Sequence, residues 1–541
     1  MENSNENDSN LNQDKTNDRI REDTKIGVTY GKWTTLTYFF NMIIGAGILT
    51  IPVGFQKSGL ILAPIFMVFV SFLSYITVTY MVEVQASGNA IAKHLEKEEK
   101  QEENTINSGN SGKKEKTIED ETDSENSETQ RLIEPNNSKI TKEDMESDSS
   151  KNKKENQEEE LLGEEKQKLK KYEDSEFSIT KRLEMGYLSE LFLGKTGVII
   201  FYIALVLYLY GCLSIYSVSV PTTLSRVISS FSMGKLHFSE YNSYYLYLTI
   251  FALVTIPWAF FRFQNTKILQ LFTMSLRNVC IFTMIVLLIT YISDGKGADP
   301  KNLKWFSVGG LPNLFGASIF SMMCHHSISG LISPVRNKRK INTYVLVDFI
   351  VITLIYILLA LFAVLSFGDV TKSKCGSDPG PPCKIQPLIT LNFSSYHIRF
   401  FANFLALFPV FTLTTNFPMM AITLKFNIEI IVTRRFKCKS WVRPFFALAA
   451  AIPPIIIAFS TRNIGFLVNL TGNYAGLIIM FPIPSLLLWA SRRKLKKILG
   501  HSHPENIHKT PFKHDFWVWL ILGWSLFCFG LATYNVATGN F

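Results

Sequence analysis

The sequence predicts an all-α polytopic membrane protein with about eleven transmembrane helices. Three observations carry that prediction. Charged residues make up only 18% of the 541 and gather in a few stretches. The stretches between them are apolar, in a chain that is 47% hydrophobic with 42 phenylalanines, and each is long enough to cross roughly 30 Å of hydrocarbon as a helix. The bases cluster beside these apolar runs, so the net charge of +10 marks the orientation of a membrane protein rather than nucleic-acid binding.

Residues 1–30 are polar and rich in Asn and Asp, without the apolar core of a signal peptide, and read as a disordered cytoplasmic tail. The first expected span, 34–53, then inserts as an internal anchor, and Pro52 is expected to disrupt its outer end. The second is 60–84, within a first membrane segment of 31–92. Residues 93–185 are Glu, Lys, Asn, Ser and Asp with almost no aromatics, too polar to fold alone, and read as a disordered cytoplasmic insert. Its mixed charge suits a linker or a docking arm for a cytoplasmic protein partner.

The remaining spans lie within 186–541, near 197–225, 242–260, 266–291, 312–334, 341–366, 400–424, 444–461, 464–491 and 515–539. The ninth is short and holds Pro453 and Pro454. With a cytoplasmic N-terminus, the loops after the sixth, eighth and tenth spans face the cytoplasm. They carry Arg336, Lys338, Arg339 and Lys340, then Arg434, Arg435, Lys437, Lys439 and Arg443, then Arg492, Arg493, Lys494, Lys496 and Lys497. That is the bias of cytoplasmic loops, and it leaves the C-terminus luminal or extracellular. The loop after the seventh span agrees. It holds the glycosylation sequon Asn392-Phe-Ser394 and the expected disulfide partners Cys375 and Cys383, both features of a luminal face.

Two spans are interrupted. The first reads Asn41-Met-Ile-Ile-Gly45-Ala46-Gly47-Ile-Leu-Thr50-Ile-Pro52, and the sixth runs from Phe315-Gly316 through Ser321, Cys324, His325, His326 and Ser327 to Pro334. A helix broken inside the bilayer frees main-chain groups that lipid cannot satisfy, so they line a cavity or bind a solute. Asn41, Gly45, Ala46, Gly47, Thr50, Ser321, Cys324, His325 and His326 are therefore the candidate substrate-binding residues. Glycines let a ligand approach the backbone, although Gly-x-Gly also serves close helix packing. Adjacent helical residues point about 100° apart, so both histidines line one cavity only where the helix unwinds. His325 is the favoured one. Histidine near mid-membrane suits proton coupling or a pH-sensitive gate, against the plainer alternative of a neutral ring bonded to a carbonyl. Consecutive Cys324, His325 and His326 make a poor metal tetrahedron, and no metal or organic cofactor is expected. Arg277 and Asp348 lie within spans and need partners the sequence does not name, Glu83 closes the second span, and Asn469, Thr471 and Asn473 either line the path or accompany close packing at Gly472 and Gly476.

The two broken spans, with Gly45-Ala-Gly47-Ile-Leu-Thr-Ile-Pro52 and Phe315-Gly316-Ala through Cys324-His325-His326, resemble the amino acid/auxin permease family over 31–92 and 186–541, and within it the transmembrane protein 104 group. The resemblance implies a 5+5 inverted repeat with helices 1 and 6 unwound, plus one extra helix. It also implies amino acids or similar small molecules as substrates, coupled to sodium or protons. In sodium-coupled relatives oxygens of the eighth span join carbonyls of the first, which makes Gly45, Thr412, Thr415 and Asn416 the candidate ion ligands; the plainer reading is threonine back-bonding.

The expected function is secondary active transport of amino acids or related small zwitterions by alternating access. The partners are a small solute and membrane lipid, in the plasma membrane or a lysosomal or vacuolar one. The alternatives are a transporter-like nutrient sensor signalling through 93–185 and, less well matched, a channel. An enzyme is not expected, because no nucleophile–base pair stands out in the spans.

Overall fold

The computed structural model describes residues 31–111, 172, 175–229, 240–260, 267–368, 385–394, 396–434, 436, 442–500 and 505–538. Every regular element among them is helical. Residues up to 88 and from 181 onward form one compact unit, and 89–180 form a second.

In the larger unit the first span is two half-helices. α1, Lys32–Ile43, stops where Ile44 and Gly45 turn extended, with Gly45 at φ −107° and ψ −155°. A 3₁₀ turn, Ala46–Leu49, leads into α2, Ile51–Ser58. Pro52 stands in the first turn of α2, where its missing N–H has no helical partner to lose. It therefore starts the second half-helix rather than ending the first, which corrects the sequence expectation. Gly59, at φ 96°, closes α2.

The sixth span repeats the pattern. α7, Leu311–Met322, ends where Met323 turns extended, a 3₁₀ turn follows at His325–Ser327, and α8 is Ile328–Ile332. Between them come α3, Leu62–Ser111; α4, Met185–Ser229; α5, Glu240–Trp258; and α6, Lys267–Ser293. Gly194, at φ 70°, breaks α4 and separates a short leading helix from the apolar run. After the sixth span come α9, Ile341–Phe367; α10, Arg399–Thr433; and α11, Arg443–Ser460. The tenth expected span consists of α12, Ile464–Leu470, a wide π-type turn at Thr471–Gly476, α13, Leu477–Met480, and α14, Pro482–Ile498. α15 is Asp515–Ala537.

Among the described residues seven helices are long and apolar enough to cross a membrane, and Pro444–Ser460 is a shorter apolar one. Their outward faces are greasy: Phe282 is 70% exposed and Leu526 73%. That pattern fits lipid as the solvent.

The broken segments sit together. α7 packs on α2, on the first 3₁₀ turn and on the π-type turn, while α9 crosses α1, α2 and α6. At one end the chain after α2 pairs with the chain before α7: Leu60 N donates to Lys304 O at 3.0 Å, Ile61 N to Trp305 O at 3.0 Å and Ser307 N to Ser58 O at 2.9 Å. Gly316 and Gly472 bring α7 and the π-type turn into backbone contact; a Cβ on Gly472 would lie 2.1 Å from Gly316 O.

In the smaller unit the polar insert does not begin as a coil at 93. α3 runs on to Ser111, through Glu- and Lys-rich sequence that favours helix. The far end of the insert is also built: Thr180 N donates to Asn89 Oδ1 at 3.2 Å and Lys93 Nζ to Ser175 O at 3.1 Å.

Candidate functional site

Breaking two helices leaves carbonyls without their partners four residues on. The fold supplies two side chains for them. Tyr356 of α9 donates its hydroxyl toward Ser321 O at 3.1 Å and Ile43 O at 3.4 Å, so one group reaches both breaks. Arg277 of α6 donates through Nη1 to Asn41 O at 3.1 Å and also to Ile44 O. Neither partnership is readable in the sequence, because each joins helices far apart along the chain. The one available signal was Arg277 itself, a charge inside a span that requires a partner.

The two glycines of the first break behave differently. A Cβ on Gly47 would fall 2.2 Å from Ser321 Oγ and 2.6 Å from Ser321 Cα, whereas one on Gly45 would meet nothing within 4 Å. Gly47 is thus a packing glycine, and Gly45 opens on free space beside a partly exposed Ala46. Thr50 turns back to bond Gly47 O at 2.9 Å, Ser321 bonds Ala317 O at 2.7 Å, and Cys324 is buried. Asn41 Nδ2 donates to Thr37 O at 2.6 Å, within its own helix.

The histidines divide in the same way. His325 is 0% exposed, with Nε2 2.8 Å from Thr77 Oγ1 of α3. His326 is partly exposed and faces the Tyr208 ring of α4, with centroids 5.7 Å apart. The 3₁₀ turn therefore sends His325, the one favoured from sequence, into the helix packing and leaves His326 at the more open position.

Thr412 and Thr415 donate to their own preceding turn, to Phe408 O at 3.0 Å and Phe411 O at 2.9 Å, and α10 packs chiefly on α4 and α11. These threonines and the half-exposed Asn416 are not drawn to Gly45 by any of these contacts. The asparagines of the tenth span brace α7: Asn469 Nδ2 donates to Asn313 Oδ1 at 2.7 Å and Asn473 Nδ2 to Pro312 O at 3.3 Å. Asn392 of the sequon is 2% exposed, and its Oδ1 accepts from Gln386 N at 2.9 Å, so the side chain braces a turn. Cys375 and Cys383 lie outside the described residues.

At the end of the bundle away from the paired 58–61 and 304–307 chains, Glu83 of α3 is the centre of a polar knot. Arg492 of α14 holds its carboxylate with Nε at 2.8 Å and Nη2 at 3.1 Å, and Thr510 N donates to it at 2.7 Å. The strap 505–514 lies along α3 here, with Thr79 Oγ1 2.7 Å from Thr510 Oγ1 and the Phe512 ring against Phe72 and Tyr75. His508 of the strap is buried. Burial first, then the charges of Lys338 and Arg339, push its imidazole down to about 4 from 6.5. Between those values the unfolded chain binds the extra proton. The contribution of His508 is therefore complete above about pH 6.5 and is lost as the pH falls toward 4, a difference of about 3 kcal/mol at most. Thermal unfolding of the purified protein from pH 7.5 to 5 is expected to show Tm falling more steeply for the parent than for His508→Gln; equal slopes would count against a buried neutral imidazole.

The family model described as "Transmembrane amino acid transporter protein" matches residues 29–101 and 184–532. The chain is 38% identical to a transmembrane protein 104 homolog of Dictyostelium discoideum, over 94% of this chain and 98% of that one. It is 33% identical to transmembrane protein 104 of Homo sapiens, over 95% and 98%, and 33% identical to a homolog of Drosophila melanogaster, over 94% and 97%. With two half-helix pairs side by side and matches of this length, the chain belongs to the transmembrane amino acid transporter protein family, among relatives named transmembrane protein 104.

Proposed function

We propose that this chain is a secondary active transporter that carries an amino acid or a related small zwitterion by alternating access. The observation that carries the reading is Tyr356, whose hydroxyl reaches carbonyls of both broken helices and so joins two polar interruptions at one point. Unwound backbone within a membrane protein is tolerated where it lines a cavity or binds a solute. The free space at Gly45 and the partly exposed Ala46 and His326 are the positions we assign to the solute. The main-chain N–H groups after Gly45 suit its carboxylate. The reading includes eleven crossings, a 5+5 inverted repeat with one extra helix, a cytoplasmic N-terminus and no enzymatic step.

For the driving ion, the geometry favours protons over sodium. The carbonyls of Asn41 and Ile44 beside the first break already hold a cation, the guanidinium of Arg277, and α10, which carries Thr412 and Thr415, packs chiefly on α4 and α11. Uptake of a labelled amino acid mixture into proteoliposomes is expected to saturate, to persist when choline replaces sodium, and to fall when a protonophore collapses an inward proton gradient. No saturable uptake under either gradient would remove the transporter reading, and strict sodium dependence would remove the proton assignment alone.

A second reading, a solute sensor, draws on the ordered base of the insert, where Asn89 and Lys93 bind 175–180. It predicts solute-dependent capture of a cytoplasmic protein that is lost when 112–171 are deleted.

A further inference from the structure

The strap between α14 and α15 is more than a connection. Glu83 is 3% exposed, and its carboxylate is shared by α14, through two nitrogens of Arg492, and by the strap, through Thr510 N. Its main-chain oxygen takes a fourth bond, from Asn506 Nδ2 at 3.3 Å. Arg492 reaches on with Nη1 to Lys513 O at 3.0 Å and Asp515 Oδ1 at 3.4 Å, which ties in the start of α15. One carboxylate thus fixes three elements to α3.

The same helix carries Thr77, the partner of buried His325 in the second break. Thr77 and Glu83 are six residues apart, roughly 9 Å along a continuous helix. A rigid helix of that length transmits a shift at one end to the other, so the strap and the second break cannot move independently. Beside the Phe512 ring on Phe72 and Tyr75, the strap meets α3 through polar bonds: Thr79 with Thr510, Asn506 with Ser87 at 3.4 Å, and the carboxylate itself. Contacts of this kind can be exchanged for water at a membrane surface, unlike interdigitated core packing.

We propose that Glu83 is a positioning residue of the transport cycle: the strap 505–514, held on its carboxylate, is the latch that closes the cytoplasmic end of the path, and its release opens the broken helices to that side. The proposal rests on the transporter reading and on its orientation, and it adds a closing device those do not contain. Removing the carboxylate charge weakens the Arg492 pair at a buried position, where one-sided losses are large.

The test uses the full chain in sealed vesicles with a cysteine reporter at Ala46 (Ala46→Cys). A membrane-impermeant maleimide is applied from the side that carries residue 510, with labelling of the parent chain subtracted. Glu83→Gln is expected to raise the labelling rate about tenfold. Asn506→Ala, which loosens the strap without leaving a buried charge, is expected to raise it in the same direction and serves if Glu83→Gln fails to fold. Unchanged labelling in the variants that fold would overturn the latch. Because labelling needs no solute, absent uptake with a raised rate removes transport and keeps the closing contact. Normal uptake with an unchanged rate does the reverse.

Discussion

Gly47→Ala is expected to destabilise the protein and abolish uptake, while Gly45→Ala is expected to leave the fold intact and impair uptake alone. The two glycines are two residues apart and look interchangeable in the sequence. In the structure the added methyl at 47 would stand 2.2 Å from Ser321 Oγ and 2.6 Å from Ser321 Cα. The second of these is a backbone atom at the end of α7, so no rotamer change relieves it. The breaks must move apart, and overpacking of this kind costs about 1–3 kcal/mol. The movement also withdraws Ile43 O and Ser321 O from their shared donor on Tyr356, so the loss extends beyond the clash. At 45 the methyl enters free space, and φ −107° is open to any L-residue. Its effect should be confined to what binds there. Thermal unfolding and uptake measured on both variants separate the cases. If Gly45→Ala also lowers Tm by several degrees, Gly45 is a packing residue and the solute assignment at 45–46 fails. If both variants transport normally, the first break is not part of the path.

The contrast shows where the sequence is readable. Local chemistry placed both interruptions: Gly45-Ala-Gly47 and the polar run Cys324-His325-His326 stand out against apolar surroundings, and both are breaks in the structure. Among the described residues seven helices are long and apolar enough to cross a membrane, and they are legible because length and hydropathy are local properties. What was illegible depends on approach in space. Whether His325 or His326 faces outward is set by a 3₁₀ turn whose phase the sequence does not encode. Pro52 is compatible with ending one helix or starting the next, and only the extended geometry at Gly45 decides it. Asn392 matches a sequon but is covered by a turn formed with Gln386. Tyr356 carries no local mark at all: it is one tyrosine in an apolar helix until Ile43 and Ser321 are brought beneath it. The insert's composition, poor in apolar surface, predicts disorder, yet its first residues continue α3, an extension that needs no core because Lys and Glu favour helix.

Arg277→Leu is expected to reduce uptake by more than about tenfold, since each carbonyl left without a donor away from water costs about 1–3 kcal/mol. The guanidinium does two things at once. It satisfies Asn41 O and Ile44 O, which the break in α1 exposes, and it places a permanent positive charge beside that break. Arg277→Lys separates the two. An ammonium keeps the charge but is shorter and lacks the planar fork, so it should restore part of the uptake and less of the stability. Arg277→Leu offers a sharper reading of the ion question. If the fixed cation occupies the place a metal ion would otherwise take, removing it exposes carbonyls suited to a hard cation. Sodium, added as chloride against choline chloride, should then raise the Tm of the leucine variant and leave the parent unaffected. A leucine variant that transports at the parental rate would show that Arg277 is incidental to the cycle. One that has lost transport but ignores sodium would show that Arg277 holds the broken helix in shape without standing in for an ion. The parent's indifference to sodium follows from the same geometry: with a guanidinium already on the carbonyls of Asn41 and Ile44, a second cation there would meet repulsion at a few ångströms instead of a vacant set of oxygens.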